Sequence, residues 1–314
     1  MSAISIKDLH YSLKTHFWSK RTPILKGVNM EAEEGQIFGF LGPNGAGKTT
    51  TIRILLNLLK HDRGNVQIFG QDPAQIMTRR DVGFLPEHAY FPEYLSGYEL
   101  LVQQGQLAGL SAKESKVQAH EKLEQVGLEG KGGVRLRNYS KGMLQRVGIG
   151  QALMGDPRLI LLDEPMSGLD PLGRKDIREL MFALKEQGKT VFFSTHILPD
   201  VELICDCVAL LINGQIKQQG KLEDFLGTAV HSGSLLRIRM LNGEALEKLE
   251  ARTGGIELRG EECICKIEGL EDTNDIIDQV RGWGGQIVSL KPNDLSLEDV
   301  FVQEMQHSDV EAKQ

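Results

Sequence analysis

Apolar residues along the chain follow two habits. Runs such as "IFGFL" (37–41), "RLILL" (158–162), "TVFFS" (190–194) and "CVALLI" (207–212) are continuous rather than alternating. That is the pattern of strands covered on both faces in a parallel sheet. Between residues 86 and 157 the period lengthens, and "GYELLVQQGQLAGL", "AKESKVQAHEKLEQVGL" and "KGMLQRVGIGQALM" read as helices. This block is expected to be a helical insertion between two parts of an α/β sheet. "INGQIKQQG" (212–220) then reads as a small closing hairpin.

After Leu226 the pattern changes. "SLLRIRM", "EALEKLEAR", "GIELRG", "CICKIEG", "TNDIIDQVRGW" and "GQIVSL" give the order β-α-β-β-α-β. That order predicts a small α+β, ferredoxin-like unit, closed by a last helix, "SLEDVFVQEM". The expected division is a large α/β domain over 1–222, with its helical subdomain at about 86–157, an accessory domain over 223–305, and a disordered tail over 306–314.

Composition narrows the function classes. A net charge of −7, with no basic block longer than pairs such as Lys20-Arg21 and Arg79-Arg80, argues against nucleic acid as a partner. "MSAISIKDLHYS" lacks the apolar core of a signal peptide, and the longest apolar runs are strand-sized. The expectation is a cytoplasmic chain whose membrane role, if it has one, comes through a partner. The four cysteines form two Cys-x-Cys pairs, Cys205/Cys207 and Cys263/Cys265, whereas thiolate metal sites usually space their ligands Cys-x-x-Cys. Cys263, Cys265 and Ile267 recur at period two, so a strand puts them on one buried face, and no metal–thiolate site is expected.

The chemistry starts at "GPNGAGKT" (42–49), which fits G-x-x-x-x-G-K-[ST] with a strand before it and a helix after it. Gly45 and Gly47 let the backbone curl until successive N–H groups face one anion, and the helix starting near Lys48 adds its positive dipole end. Lys48 is placed to bridge the β- and γ-phosphates, and the Thr49 hydroxyl to coordinate Mg²⁺. "RLILLDE" (158–164) is an apolar strand ending in two acids. Asp163 suits the Mg²⁺ shell through water, and Glu164 suits the general base that takes a proton from attacking water.

Three further stretches decide the type: "SGLD" (167–170), "FFSTH" (192–196) and "YSKGMLQR" (139–146), the last lying between the two nucleotide motifs. In this order the set resembles the ATP-binding subunit of ABC transporters, over about residues 4–220. The resemblance implies a P-loop NTPase fold, ATP and Mg²⁺ as ligands, and ATPase activity. It makes Gly42, Pro43, Asn44, Gly45, Ala46, Gly47, Lys48, Thr49 and Thr50 the Walker A loop, and Leu159–Asp163 the Walker B strand with Glu164 as catalytic base. Ser140, Lys141 and Gly142 fall in the signature, Ser167–Asp170 is the D-loop, and His196 is the switch histidine near the γ-phosphate. Tyr11 is in the place of the aromatic that stacks on adenine, with Trp18 as rival.

Two places depart from the commoner family pattern. Glu87, in "GFLPEHAY", stands where a glutamine ligates Mg²⁺ or orients water, and the signature reads "YSKGM" rather than Leu-Ser-Gly-Gly-Gln. Both resemble a bacterial exporter subgroup whose members carry an accessory domain ending in "SLEDVF", found here at Ser296–Phe301. The resemblance implies a homodimer closed around two ATP molecules, with a separate integral-membrane permease, on the inner face of the cell membrane. A soluble ABC ATPase acting on a ribosome or other macromolecular complex is the alternative. A GTPase or small-molecule kinase lacks support, since no Asn-Lys-x-Asp for guanine is found.

Overall fold

The computed structural model describes residues 1–14, 18, 21–227, 234–241, 243–267, 270–292 and 297–311. In chain order the first elements are β1 (Ser2–Leu13), β2 (Thr22–Glu33), β3 (Ile37–Leu41), α1 (Lys48–Leu55), β4 (Arg63–Ile68), α2 (Ile76–Arg80) and β5 (Val82–Leu85). Then follow α3 (Gly97–Leu107), α4 (Ala112–Gln125), α5 (Lys141–Ala152), β6 (Leu159–Asp163), α6 (Pro171–Glu186), β7 (Thr190–Thr195), α7 (Leu198–Ile204), β8 (Cys207–Ile212) and β9 (Gln215–Lys221). The remainder is α8 (Leu222–Gly227), β10 (Ser234–Arg239), α9 (Gly243–Thr253), β11 (Ile256–Arg259), β12 (Glu262–Ile267), α10 (Leu270–Gly282), β13 (Gln286–Pro292) and α11 (Leu297–Glu311). Two compact units result: Met1–Leu222 with Glu304–Gln314, and Glu223–Gln303.

In the first unit the continuous apolar runs lie side by side. The sheet order is β5-β6-β7-β3-β8-β9, parallel throughout except for β9, which returns antiparallel from the hairpin at Asn213-Gly214. Every residue of β3, β6 and β7 is buried, which is why these strands read as unbroken hydrophobic runs. Phe38 and Phe192 stack across the β3–β7 pair with ring centroids 5.5 Å apart.

A second sheet, β2-β1-β4, is antiparallel and was not anticipated from the sequence. Its inward residues Ile4, Ile6, Leu9, Val28 and Met30 join Phe38, Phe40, Ile52 and Leu55 in one core, so α1 is held by apolar contacts with both sheets. The helical block forms as expected. α3 and α4 each begin with a reciprocal capping box, Ser96 with Glu99 and Ser111 with Glu114. These boxes explain why the breaks between helices fall where they do.

The second unit has sheet order β11-β12-β10-β13, all antiparallel, the arrangement of a ferredoxin-like split βαβ. Cys263, Cys265 and Ile267 are buried in its core with Leu236, Ile238 and Val280. One expectation is corrected: the tail predicted to be disordered over 306–314 is helical as far as Glu311. Nothing in 297–311 breaks a helix, there being no Gly or Pro, and Glu298 and Asp299 in its first turn favour its start. Ser296 and residues 312–314 lie outside the described residues.

Candidate active site

Three neighbouring strands deliver the chemistry. β6, β7 and β3 are consecutive in the parallel sheet, and their register sets Asp163 opposite Ser194 and Leu41 opposite Thr195. What leaves these strands at their carboxyl ends therefore collects at one edge, where ligands of parallel sheets bind. There, Gly42 begins the loop, Glu164 follows β6 and His196 follows β7.

The loop needs its glycines. Gly45 and Gly47 have φ of 84° and 115°, which L side chains rarely adopt. A side chain at Gly42 would run into the carbonyl oxygen of Leu211. α1 begins after Gly47 with no side-chain cap and no acid in its first turn. Its leading N–H groups and positive dipole end are left for an anion.

Lys48 is buried and donates from Nζ to the carbonyl oxygens of Gly42 at 2.7 Å and Pro43 at 3.4 Å. The same ammonium lies 3.2 Å from Glu164 Oε1. Among the described residues that oxygen nevertheless accepts no hydrogen bond, while two of the three ammonium protons are directed to the loop carbonyls. The contact is thus an ion pair with an open lone pair, and the unsatisfied buried oxygen is a cost that functional sites tolerate.

Glu164 turns out of β6 with φ 49°, left-handed backbone that a non-glycine residue keeps only when its surroundings enforce it. Its N–H donates to the Ser194 carbonyl at 3.1 Å and to the Ser194 hydroxyl at 3.0 Å. The Ser194 hydroxyl in turn donates to Asp163 Oδ1 at 2.5 Å. One serine thus fixes both acids. Glu164 Oε2 is paired with His196 Nδ1 at 2.9 Å.

A pocket of about 580 Å³ opens in front of these groups. Pro43, Asn44, Gly45, Gly47, Lys48, Thr49, Thr50, Glu87, Glu164 and His196 line it, joined by Ser167 and Ile24. Asp163 and Ala46 are buried and do not line it. The oxygens of Thr49, Asp163 and Glu87 are the hard donors that Mg²⁺ takes. Among the described residues no three His, Cys, Asp or Glu side chains form a ready-made cage.

The other expected site residues lie elsewhere. Tyr11, in β1, is half-buried against the first unit's core and pairs in register with Leu25, next to Ile24, but does not line the pocket. Trp18 is 91% exposed. Ser140 caps α5, accepting from the Met143 N–H at 3.3 Å. Ser140, Lys141 and Gly142 line a separate groove of about 400 Å³ together with Gly168 and Asp170. Sequence reasoning gave Ser194 no role of its own; the polar end of "FFSTH" was a signal, but its double contact depends on the β6–β7 register. Ile24 left no signal.

The sequence profile described as "ABC transporter" matches residues 25–167. An uncharacterised ABC transporter ATP-binding protein of Nostoc sp. strain PCC 7120 is 39% identical over 98% of this chain and 91% of its own length. The chain belongs to the ABC transporter ATP-binding family. As a family member it binds ATP with Mg²⁺ and is an ATPase. The Nod factor export ATP-binding protein I of Rhizobium sp. strain N33 is 30% identical over 89% of this chain and 91% of that protein. Among solved structures, the ATP-binding subunit of an ABC transporter aligns with a TM-score of 0.62 at 32% identity, covering 72% of this chain and 92% of that one. The dimeric post-hydrolysis state of the cassette MJ0796, bound to ADP and Pi, aligns with a TM-score of 0.63 at 27% identity, covering 70% and 98%. No described helix of this ABC ATP-binding chain is long and apolar enough to cross a membrane.

Proposed function

We propose that this subunit is the motor of an exporter: two copies close around two ATP molecules and drive a separate membrane permease from the cytoplasmic face. The observation that carries the dimer is a separation within one chain. None of the residues lining the Ser140–Gly142 groove lines the pocket that holds Lys48 and Glu164. Lys48 and the loop amides face one side of a triphosphate, and among the described residues His196 is the other cationic candidate lining this pocket. The α5 start of a second copy supplies the far side. Export is supported by the relative named for Nod factor export, similar along nearly the whole chain.

The roles follow from the geometry. The Gly42–Thr50 loop binds the phosphates, and Lys48 trades its loop carbonyls for β- and γ-oxygens. Thr49 and Glu87, with Asp163 through water, would hold Mg²⁺, which would supply neutralisation of the phosphate charge. Glu164, with one oxygen open and the other on His196, accepts the proton of the attacking water. Tyr11, beside Ile24, takes the adenine. The 86–100 segment, which runs from the pocket at Glu87 to the start of α3, passes the motion to the permease.

Glu164→Gln keeps the shape and removes the base. It is expected to abolish phosphate release while leaving an ATP-bound dimer by size-exclusion chromatography. A monomer at saturating ATP and Mg²⁺ would falsify the two-copy site.

A further inference from the structure

An ionic cluster built around a buried aspartate next to the site has no part in the roles above. Asp200, in the first turn of α7, has a side chain only 4% exposed. Two arginines one turn apart on α6 grip it: Arg178 Nη1 at 2.5 Å from Oδ1, and Arg174 Nη1 at 3.5 Å from Oδ2. The Arg174 grip is incomplete, since its Nε is buried without a hydrogen-bond partner among the described residues. Asp200 is buried while Arg174 and Arg178 keep 29% and 19% of their side-chain surface exposed, and taking a carboxylate out of water to pair it is a poor route to stability. Such a cluster is better suited to fixing where two segments sit.

The two segments are the turns that flank the hydrolytic carboxylate. α6 starts at Pro171, capped by Asp170, and the Arg174 N–H donates to the Asp170 carbonyl at 3.0 Å. Arg174 is therefore tied to the Ser167–Asp170 turn. α7 starts only two residues after β7, and its N-cap residue Ile197 makes no side-chain cap. Asp200 is four residues from His196, so whatever holds Asp200 holds the start of α7 and the histidine before it. Ser167 and His196 both line the pocket around Glu164.

The geometry points to Asp200, with Arg174 and Arg178, as a positioning cluster for hydrolysis: it locks the His196 turn against the Ser167–Asp170 turn and keeps His196 Nδ1 on Glu164. This rests on the reading of Glu164 and His196 as the hydrolytic pair. It adds residues that touch neither nucleotide nor the reacting atoms. Misplacing a catalytic group by about 1 Å costs up to about 100-fold in rate, so a loosened cluster acts on turnover before it acts on binding.

The test uses the full chain and three variants: Asp200→Asn, Arg178→Lys, and the double replacement Asp200→Leu with Arg178→Leu, which removes both charges of the closer pair. Steady-state ATPase, nucleotide affinity by a fluorescent ATP analogue, and thermal midpoint are measured on each. The expected result is a kcat lowered about tenfold or more in Asp200→Asn and in the double variant. KM and analogue affinity stay within about twofold of the parent, and Arg178→Lys recovers part of the rate. Wild-type kcat in a folded Asp200→Asn or double variant overturns the proposal. So does a loss of kcat that tracks loss of folded protein and nucleotide affinity together, and so does failure of all three to fold, which makes the cluster a stability element. Glu164→Gln runs alongside: if it retains turnover, the hydrolytic reading itself has failed, whereas a dead Glu164→Gln beside active Asp200 variants sinks the cluster alone.

Discussion

At the scale of single residues, Ser194 has the largest reach for its size. Its hydroxyl donates to Asp163 and accepts from the Glu164 N–H, and its carbonyl takes the same N–H. The left-handed turn at Glu164 is held by these contacts rather than by any preference of glutamate. Ser194→Ala keeps the strand but leaves Asp163 Oδ1 without that donor in a buried place. A stability loss of about 1–3 kcal/mol is expected from the unmet group. Turnover should fall more than ATP affinity does, because Lys48 and the loop amides are untouched. Urea titration with parallel ATPase and binding measurements checks this, and a kcat equal to the parent's would remove Ser194 from the site.

At the scale of elements, the starts of helices carry much of the information. Ser140 caps α5, and its loss to alanine is expected to cost about 1 kcal/mol. A bulky residue at Ser140 has a different signature: ATP binding to the monomer is spared and hydrolysis is blocked. Phosphate release continuing at the parental rate would count against the in-trans role. The capping boxes add a pH dependence. Glu99 is held below the ordinary 4.5 by the backbone N–H of Ser96 first and its side chain next, and Glu114 likewise by the Ser111 side chain and then its backbone. A depressed carboxylate stabilises fully above its unfolded-state value and loses that contribution as pH falls through its folded-state value. The Glu99→Gln/Glu114→Gln variant should therefore unfold at lower urea than the parent at neutral pH. The gap should close once the medium is well below pH 4.5.

Legibility in the sequence also divides by element. β3, β6, β7 and β8 could be read directly because burial on both faces leaves little but apolar residues. The loop at Gly42 was equally plain, since its φ values admit little but glycine at Gly45 and Gly47. β1 and β2 were missed because they pair with several register shifts, which break the two-residue alternation that marks a half-buried strand. The end of α11 was missed because its polar sequence matches a solvated tail as well as a helix. In the site, the motif spacing pointed to Lys48, Thr49 and Glu164 and the resemblance to His196, and all four line one pocket. The Ser194 bridge and the Asp200 cluster were not, since each depends on which strands and helices become neighbours.

At the scale of the whole molecule, the two units have separate cores, and the cysteines of the second report on it. Burial pushes the Cys263 thiol up, and burial with its neighbour Cys263 pushes the Cys265 thiol up to about 12. Both side chains are at most 3% exposed, so alkylation at mildly alkaline pH is expected to wait for unfolding of Glu223–Gln303. All the pocket residues lie in the first unit. A ligand stabilises what binds it by RT ln(1 + [L]/Kd), about 2.7 kcal/mol at a hundredfold excess over Kd. A non-hydrolysable ATP analogue with Mg²⁺ should therefore raise the urea midpoint of the first unit, followed by hydrogen exchange in peptides from residues 1–222. The urea dependence of Cys263 and Cys265 alkylation, followed by mass spectrometry, should stay where it is. Alkylation that shifts in step with the analogue would show that the second unit unfolds only with the first, and that ATP binding is felt along the whole chain.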